Sequence, residues 1–434
     1  MNTHIYYWAA FLLYAAIVIG IGIFVWLKEK KAGKECSNDA YWEASRSLPA
    51  WSVGLSISAS MMSISWSCVY DVQLFYWYGW GGAWLLIIPW LLTMGGFFVF
   101  AGTFRKFEVF SQPQLLKKRF GSRLRQYLAP ALIIVFITWT GAEIYAAGTI
   151  IAPFLGIPLV PTLLLITVVV AVYSYSGGFE AVVSTDKIQF VLVALFISVI
   201  AFLAYDAVPQ EMSLFENINP PKAKNSLLFF TPGIALIVIT FFAYLPGWLI
   251  ETDVWIRLQA ARSDNTARKG VGIAALNSFI FVGIMPAVIG VSALVLFPPL
   301  NGQIPAELQD GALIFTVIMQ NYAPVWLNVF LSIGLIAAAM STVDTCGNVV
   351  ALSFSHDLLE PGLKGKWSAE KLNKLARWSS VGAIFVSFLY AVFTESLWDI
   401  FYLSSGILTT SVFIPVIAGF LPGTSFPCCL AGAD

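Results

Sequence analysis

Charge is scarce in this chain. Lys, Arg, Asp and Glu supply 11% of the 434 residues, while 59% are hydrophobic; an ordinary soluble domain has about 25% charged residues. So few ionisable groups cannot coat a globule, which excludes a soluble fold. Histidine is scarcer still, with only His4 and His356. No zinc-ligand spacing, no nucleophile–base pair and no phosphate-cradling glycine loop can be drawn, so a membrane enzyme is not expected. The cysteines Cys36, Cys68, Cys346, Cys428 and Cys429 fall in segments expected to be cytoplasmic or intramembrane, and no extracellular disulfide framework is implied. The first apolar segment has no basic residue before it and no small-residue cleavage pattern after it, so it reads as a retained span rather than a removable signal peptide. The formal net charge is zero, which leaves no global footprint for a nucleic acid.

What the chain has instead is long apolar runs, each enough to cross a hydrocarbon core of roughly 30 Å. Eleven are counted, near 7–27, 49–78, 82–103, 127–152, 158–176, 179–207, 227–250, 271–297, 326–353, 378–395 and 397–421. This is an all-α integral membrane pattern with no room for a soluble domain between spans. Threading it back and forth puts 22 of the 24 Lys and Arg on one side and leaves Lys222 and Lys224 opposite. By the positive-inside rule the basic side is cytoplasmic. The N-terminus is then expected outside and the C-terminus inside, in the plasma (inner) membrane, with lipid around the bundle. The stretch 361–377, with Trp367, Leu372 and Leu375 among lysines, reads as a short amphipathic surface helix.

Two spans depart from plain hydrophobic helix. The second carries a hydroxyl-rich run from Ser56 to Trp66 with serine at 56, 58, 60, 63 and 65; the seventh carries Pro246-Gly247 before Trp248. Proline removes a backbone donor, and an interrupted helix at membrane depth is tolerated where it lines a cavity. Once the first span is set aside, these interruptions fall in the first helices of two five-span blocks, 48–207 and 227–421. That is the sequence pointer to an inverted-repeat transporter with a site near the midplane. In this division 1–47 is an extra N-terminal helix and loop, and 422–434 a short tail.

The ninth span holds Ala338, Ser341 and Thr342 at i, i+3, i+4 spacing, on one face. Two hydroxyls and a carbonyl from this face, meeting carbonyls released near Ala59 and Met62, would make a small neutral cage suited to a monovalent cation. Helix packing explains the same small residues equally well.

The chain resembles the sodium:solute symporter family over nearly its whole length. The matching motifs are Leu48-Pro49-Ala50-Trp51-Ser52-Val53-Gly54, Gly177-Gly178-Phe179-Glu180-Ala181-Val182-Val183-Ser184-Thr185-Asp186 with Gln189, Thr252-Asp253 ahead of Arg257, and Ala339-Met340-Ser341-Thr342-Val343-Asp344. The resemblance implies a LeuT-type core of ten helices behind one extra helix, and sodium-coupled uptake of a small organic solute by alternating access. It places the sodium ion on the carbonyls of Ala59, Met62 and Ala338 and the hydroxyls of Ser341 and Thr342. It points to Asp186 as a second cation position, with a structural carboxylate hydrogen-bonded to neighbouring helices as the equal alternative, and Asp344 is a further candidate for coupling or an inner gate. Ser63, Ser65, Trp66, Asp71, Glu143 and Trp248 are candidate substrate or gate residues, with Asp71 and Glu143 as an acidic mouth or an ammonium anchor and the tryptophans as lids. Ser65-Trp66 stands where the sugar-carrying branch has acidic and amide residues, so sugar is disfavoured. The chain also stops soon after the eleventh span, where relatives usually continue. A transporter-like sensor lacking its output domain is the alternative reading.

Overall fold

The computed structural model describes residues 4–31, 46–109, 111–176, 179–216, 218–363, 366–394 and 396–421. Cys36, the Gly177-Gly178 pair and the tail with Cys428 and Cys429 lie outside the described residues. Nine helices among the described residues are long and apolar enough to cross a membrane. One of them, Ile64–Arg105, runs through parts of two expected spans, and Leu159–Tyr175 is a shorter apolar helix.

In chain order, α1 is His4–Lys31, α2 Ala50–Met61 and α3 the π-turned Ile64–Asp71 continuing as Val72–Tyr78. α4 is Ile87–Arg105, α5 Gln112–Phe120, α6 Ser122–Leu155, α7 Leu159–Ser176 and α8 Phe179–Asp206. α9 is Ile234–Trp248, α10 Thr252–Ala260, α11 Asp264–Leu296, α12 Ile314–Tyr322 and α13 Val325–Leu363. α14 is Ala369–Val392, and α15 begins at Leu397 and ends at Phe420.

α2 and α11 cross with a glycine on each helix set against a branched side chain of the other. A Cβ on Gly54 would sit 2.7 Å from Ile273 Cβ, and one on Gly270 2.7 Å from Val53 Cγ1. Small residues at the crossing let the backbones approach, which in lipid replaces the hydrophobic drive between helices. Hydrogen bonds from Leu48 N–H to Ala260 O (3.1 Å) and from Arg262 N–H to Leu48 O (3.1 Å) tie the start of α2 to the end of α10.

Three expectations shift. The seventh span begins at Ile234 rather than 227, because 227–233 is turned backbone with Gly233 at φ 81°. The surface helix expected over 361–377 is divided instead: residues to Leu363 end α13, and those from Ala369 are the first turns of the tenth span, where Ser368 caps α14 by accepting the Lys371 N–H and the helix continues unbroken to Val392. The short helices α5 and α12 sit in stretches read as loops. Each buries one apolar face, Leu115, Leu116 and Phe120 in α5 and Ile314, Phe315, Ile318 and Met319 in α12. Such a stripe is too brief to register as a span.

Candidate functional site

The serines of α2 unwind the second span. Ser58 donates to Gly54 O at 2.8 Å and Ser60 to Ile57 O at 3.0 Å, side-chain bonds that compete with the helix ladder. Backbone leaves the helix at Met62 (φ −83°, ψ 53°) and Ser63 (φ −80°, ψ 160°). Ser63 Oγ then accepts the Trp66 N–H at 2.9 Å, and a helical path restarts. The Trp66 amide would bond Met62 O in an unbroken helix, so this cap releases that carbonyl. Glu143 of α6 completes the restart. Its carboxylate accepts the N–H groups of Ile64 (2.6 Å) and Ser65 (3.0 Å) and the Ser65 hydroxyl. An anion at a helix N-terminus meets the free donors and the positive end of the dipole.

The carbonyls released on the other side of the break meet α13. Ser341 Oγ donates to Ala59 O at 2.9 Å and lies 3.3 Å from Ala338 O. Thr342 Oγ1 donates to Ser60 O at 3.1 Å and lies 3.5 Å from Ala338 O. Five oxygens from two helices thus converge in a buried knot. Ala59, Ala338, Ser341 and Thr342 are brought together as the spacing suggests, with Ser60 as a further carbonyl; Met62 stands at the break itself.

The seventh span is interrupted later than its proline. α9 runs through Pro246 to Trp248, and the chain turns at Leu249, Ile250 and Glu251 before α10 starts at Thr252. Thr409 of α15 repairs the ladder around the proline. Its hydroxyl accepts the Gly247 N–H at 3.1 Å and donates to Ala243 O at 2.8 Å. A Cβ at position 247 would stand 2.9 Å from that hydroxyl, so glycine is what admits it. In the first turn of α10, Val254 N–H donates to Asp253 Oδ1 at 2.6 Å.

Asp186 belongs to a buried ion network. Arg257 Nη2 donates to its Oδ2 at 3.1 Å and Ser56 donates to the same oxygen. The guanidinium also reaches Ser56 Oγ (2.7 Å), Thr345 Oγ1 (2.9 Å) and, at 3.6 Å, the carboxylate of Asp253. Ser60 Oγ donates to Asp253 Oδ2 at 3.1 Å, which links this network to the broken helix. Asp344 lies on another side of α13: Ser174 of α7 donates to it, and Asn348 Nδ2 lies 3.3 Å from the same oxygen. Asp344 is therefore held against α7 and does not join the five-oxygen knot. Asp71 is fully buried, and neither of its carboxylate oxygens has a hydrogen-bond partner among the described residues. It does not join Glu143 in a mouth, because Glu143 is committed to the α3 amides.

A cavity of about 50 Å³ opens beside both breaks, with Ser60, Ser63, Ser65, Trp66, Trp248 and Thr342 on its wall. A second space, near 280 Å³, lies further along α3 among Val69, Gln73, Trp77 and Tyr145. Tyr70 hydroxyl bonds Tyr244 hydroxyl at 3.0 Å, and on the first cavity's wall Trp66 packs on Trp248 and Phe401 with ring centroids 5.0 and 4.8 Å apart. Sequence reading missed Glu251, Trp90, Trp139 and Phe401 on the first cavity's wall. A carboxylate three residues past Trp248 was a usable signal, since an acid at membrane depth is costly to keep.

The sodium:solute symporter family model matches residues 41–420. A sodium/glucose cotransporter of Vibrio parahaemolyticus is 28% identical over 88% of this chain and 74% of its own length. A sodium/sialic acid symporter of Aliivibrio fischeri is 24% identical over 90% of this chain and 78% of its own. Among solved structures, a substrate-bound, outward-open Na+-coupled sialic acid symporter superposes with a TM-score of 0.80 at 21% identity, covering 96% of this chain and 87% of that one. That likeness establishes a LeuT-type helical fold. The relatives are carriers, which sets the sensor reading aside. The chain belongs to the sodium:solute symporter family and is a multi-pass membrane protein that couples sodium to the movement of a small solute.

Proposed function

We propose that the transported sodium ion is held where α2 breaks against α13, by the carbonyls of Ala59 and Ala338 and the hydroxyls of Ser341 and Thr342, with the released Met62 carbonyl closing the shell. The observation that carries this is the pair of hydroxyls meeting helix carbonyls across two spans. A hydroxyl that donates to a carbonyl keeps its lone pairs, so a cation placed among these oxygens needs rotation of two O–H groups and no backbone rearrangement. A neutral oxygen cage fits a monovalent ion. The solute binds in the adjoining cavity, so ion and solute share the same broken helix, and filling one site shapes the other.

Residues 48–207 and 227–421 act as the two inverted repeats, with the breaks after Met61 and after Trp248 at corresponding places. The basic end faces the cytoplasm and the N-terminus lies outside. Import is then driven by both the sodium gradient and the membrane potential, the latter contributing about 2.3 kcal/mol per charge per 100 mV. Reconstituted protein should accumulate solute under an inward sodium gradient, faster with the interior negative. Equal uptake under potassium or a pure proton gradient would overturn the assignment.

A further inference from the structure

We propose that the solute is a small organic cation, an alkylammonium that carries a hydroxyl and no carboxylate; this rests on the symport reading above. Four tryptophans and a phenylalanine from five helices wall the cavity: Trp66, Trp90, Trp139, Trp248 and Phe401. They form walls at steep angles rather than one stack. Trp66 meets Trp248 at 65° and Phe401 at 87°, and Trp90 meets Trp248 at 73°. Two rings are pinned by their indole N–H groups, Trp90 to Ser278 Oγ (3.2 Å) and Trp139 to Ser404 Oγ (2.7 Å). A cage of ring faces at mixed angles is the arrangement that attracts an alkylated ammonium.

Charge points the same way. The lining includes Glu251 and Asp253 and has no Lys, Arg or His. Arg257 is the nearby cation, and it is shared between Asp253 and Asp186. Glu251 is only 4% exposed, and its Oε2 has no hydrogen-bond partner among the described residues. The Trp66 indole N–H is likewise buried without one. Glu251 bonds Asp253 through its carboxyl group, so its Oε2 and the Trp66 N–H are atoms left without a partner on residues that line the cavity, the first suited to an ammonium and the second to a solute hydroxyl.

Other solute classes fit worse. Half-helix N-termini at such breaks serve to bind anionic substrate groups. Here the α3 terminus is taken by Glu143 at Ile64 and Ser65, and Asp253 covers the Val254 N–H at the start of α10. The carboxylate of an amino acid, a betaine or an acid sugar would therefore be set against these acids. A neutral polyol needs many polar partners, yet Ser65 is committed to Glu143, Ser60 to Asp253 and Thr342 to Ser60 O.

The test uses purified full-length protein with choline as probe, glycine betaine, proline and glucose as comparators, and two readouts: tryptophan fluorescence and tracer uptake in proteoliposomes. Choline should change the fluorescence and enter under an inward sodium gradient, with the comparators at least tenfold weaker. Trp66→Phe, which keeps a ring face but loses the indole donor, should weaken binding several-fold, Trp66→Leu should lose at least tenfold, and Glu251→Gln should raise the half-saturating choline concentration at least tenfold. Size-exclusion profiles confirm that each variant is folded. Sodium-driven uptake of proline, betaine or glucose that choline does not inhibit would overturn the cation proposal and leave symport intact. Choline binding with no sodium stimulation would instead support the cage and overturn the coupling. Absence of choline binding in folded protein that still responds to sodium would also overturn the proposal.

Discussion

Glu143 and Ser65 are joined at both backbone and side chain, since the carboxylate accepts the Ser65 N–H at 3.0 Å and the Ser65 hydroxyl as well. With Ile64 N–H at 2.6 Å, one fully buried acid satisfies the opening donors of α3. Glu143→Ala strands those donors, and each unsatisfied buried group costs about 1–3 kcal/mol. The expected result is a lower melting temperature in detergent together with loss of transport. Glu143→Gln keeps one acceptor and should fall between. An alanine variant as stable as the parent would remove Glu143 from the cap.

Ser341→Ala and Thr342→Ala separate the cation site from helix packing, which needs only small side chains. Each removes one oxygen from the proposed sodium shell and leaves the α13 surface small, so folding should survive. A lost contact to a charge is worth about 1.5–3 kcal/mol. At a factor of ten per 1.4 kcal/mol, the sodium concentration for half-maximal uptake should rise roughly ten- to hundredfold. Solute affinity at saturating sodium should move far less. Ala339→Ser on the same helix is the control, and parental sodium dependence in both alanine variants would favour packing.

The α13 side of this knot was legible because helical periodicity alone puts Ala338, Ser341 and Thr342 on one face, and the α2 break was legible because serine competes for backbone. The seventh-span break was located three residues early. Pro246 signals a lost donor, but Thr409, 163 positions away in sequence, bridges the gap and lets the helix run on to Trp248. No local pattern announces such a long-range repair. The partners of Asp186 and Asp344 were hidden for the same reason, since Arg257 and Ser174 lie on other helices and only packing selects them. The helices α5 and α12 were lost because a single buried face of three or four residues looks like loop in a span-length window.

Orientation can be checked at one exposed residue. Ser213 lies in the connection after α8, on the side opposite the basic loops, and is exposed; the native Cys68 and Cys346 are buried. A membrane-impermeant maleimide applied to intact cells should label Ser213→Cys and leave Cys36, expected on the basic side, unreacted until the cells are opened. Labelling of Cys36 from outside would reverse the topology.

The Asp186–Arg257 pair decides whether Asp186 holds a cation or holds the fold. Arg257 is 1% exposed and faces two carboxylates, so Arg257→Met leaves Asp186 and Asp253 buried without their cation. Breaking a buried pair from one side costs about 3–5 kcal/mol, which should appear as poor expression and early aggregation on size exclusion. Asp186→Asn is gentler. The amide still accepts from Ser56, and Arg257 keeps Asp253. Combining Asp186→Asn with Arg257→Met removes one of the stranded charges, so the double variant should be more stable than Arg257→Met alone, the coupling expected of residues in one network. A structural Asp186 predicts that the well-folded Asp186→Asn protein keeps the parental ratio of sodium to solute, measured by paired tracer fluxes, with reduced stability as its main defect. A cation-binding Asp186 predicts that this ratio falls while stability is largely kept. Arg257 and Ser56 both donate to one carboxylate oxygen, which favours the first outcome; a lower sodium ratio in stable Asp186→Asn would assign the other oxygen, Oδ1, to a transported cation.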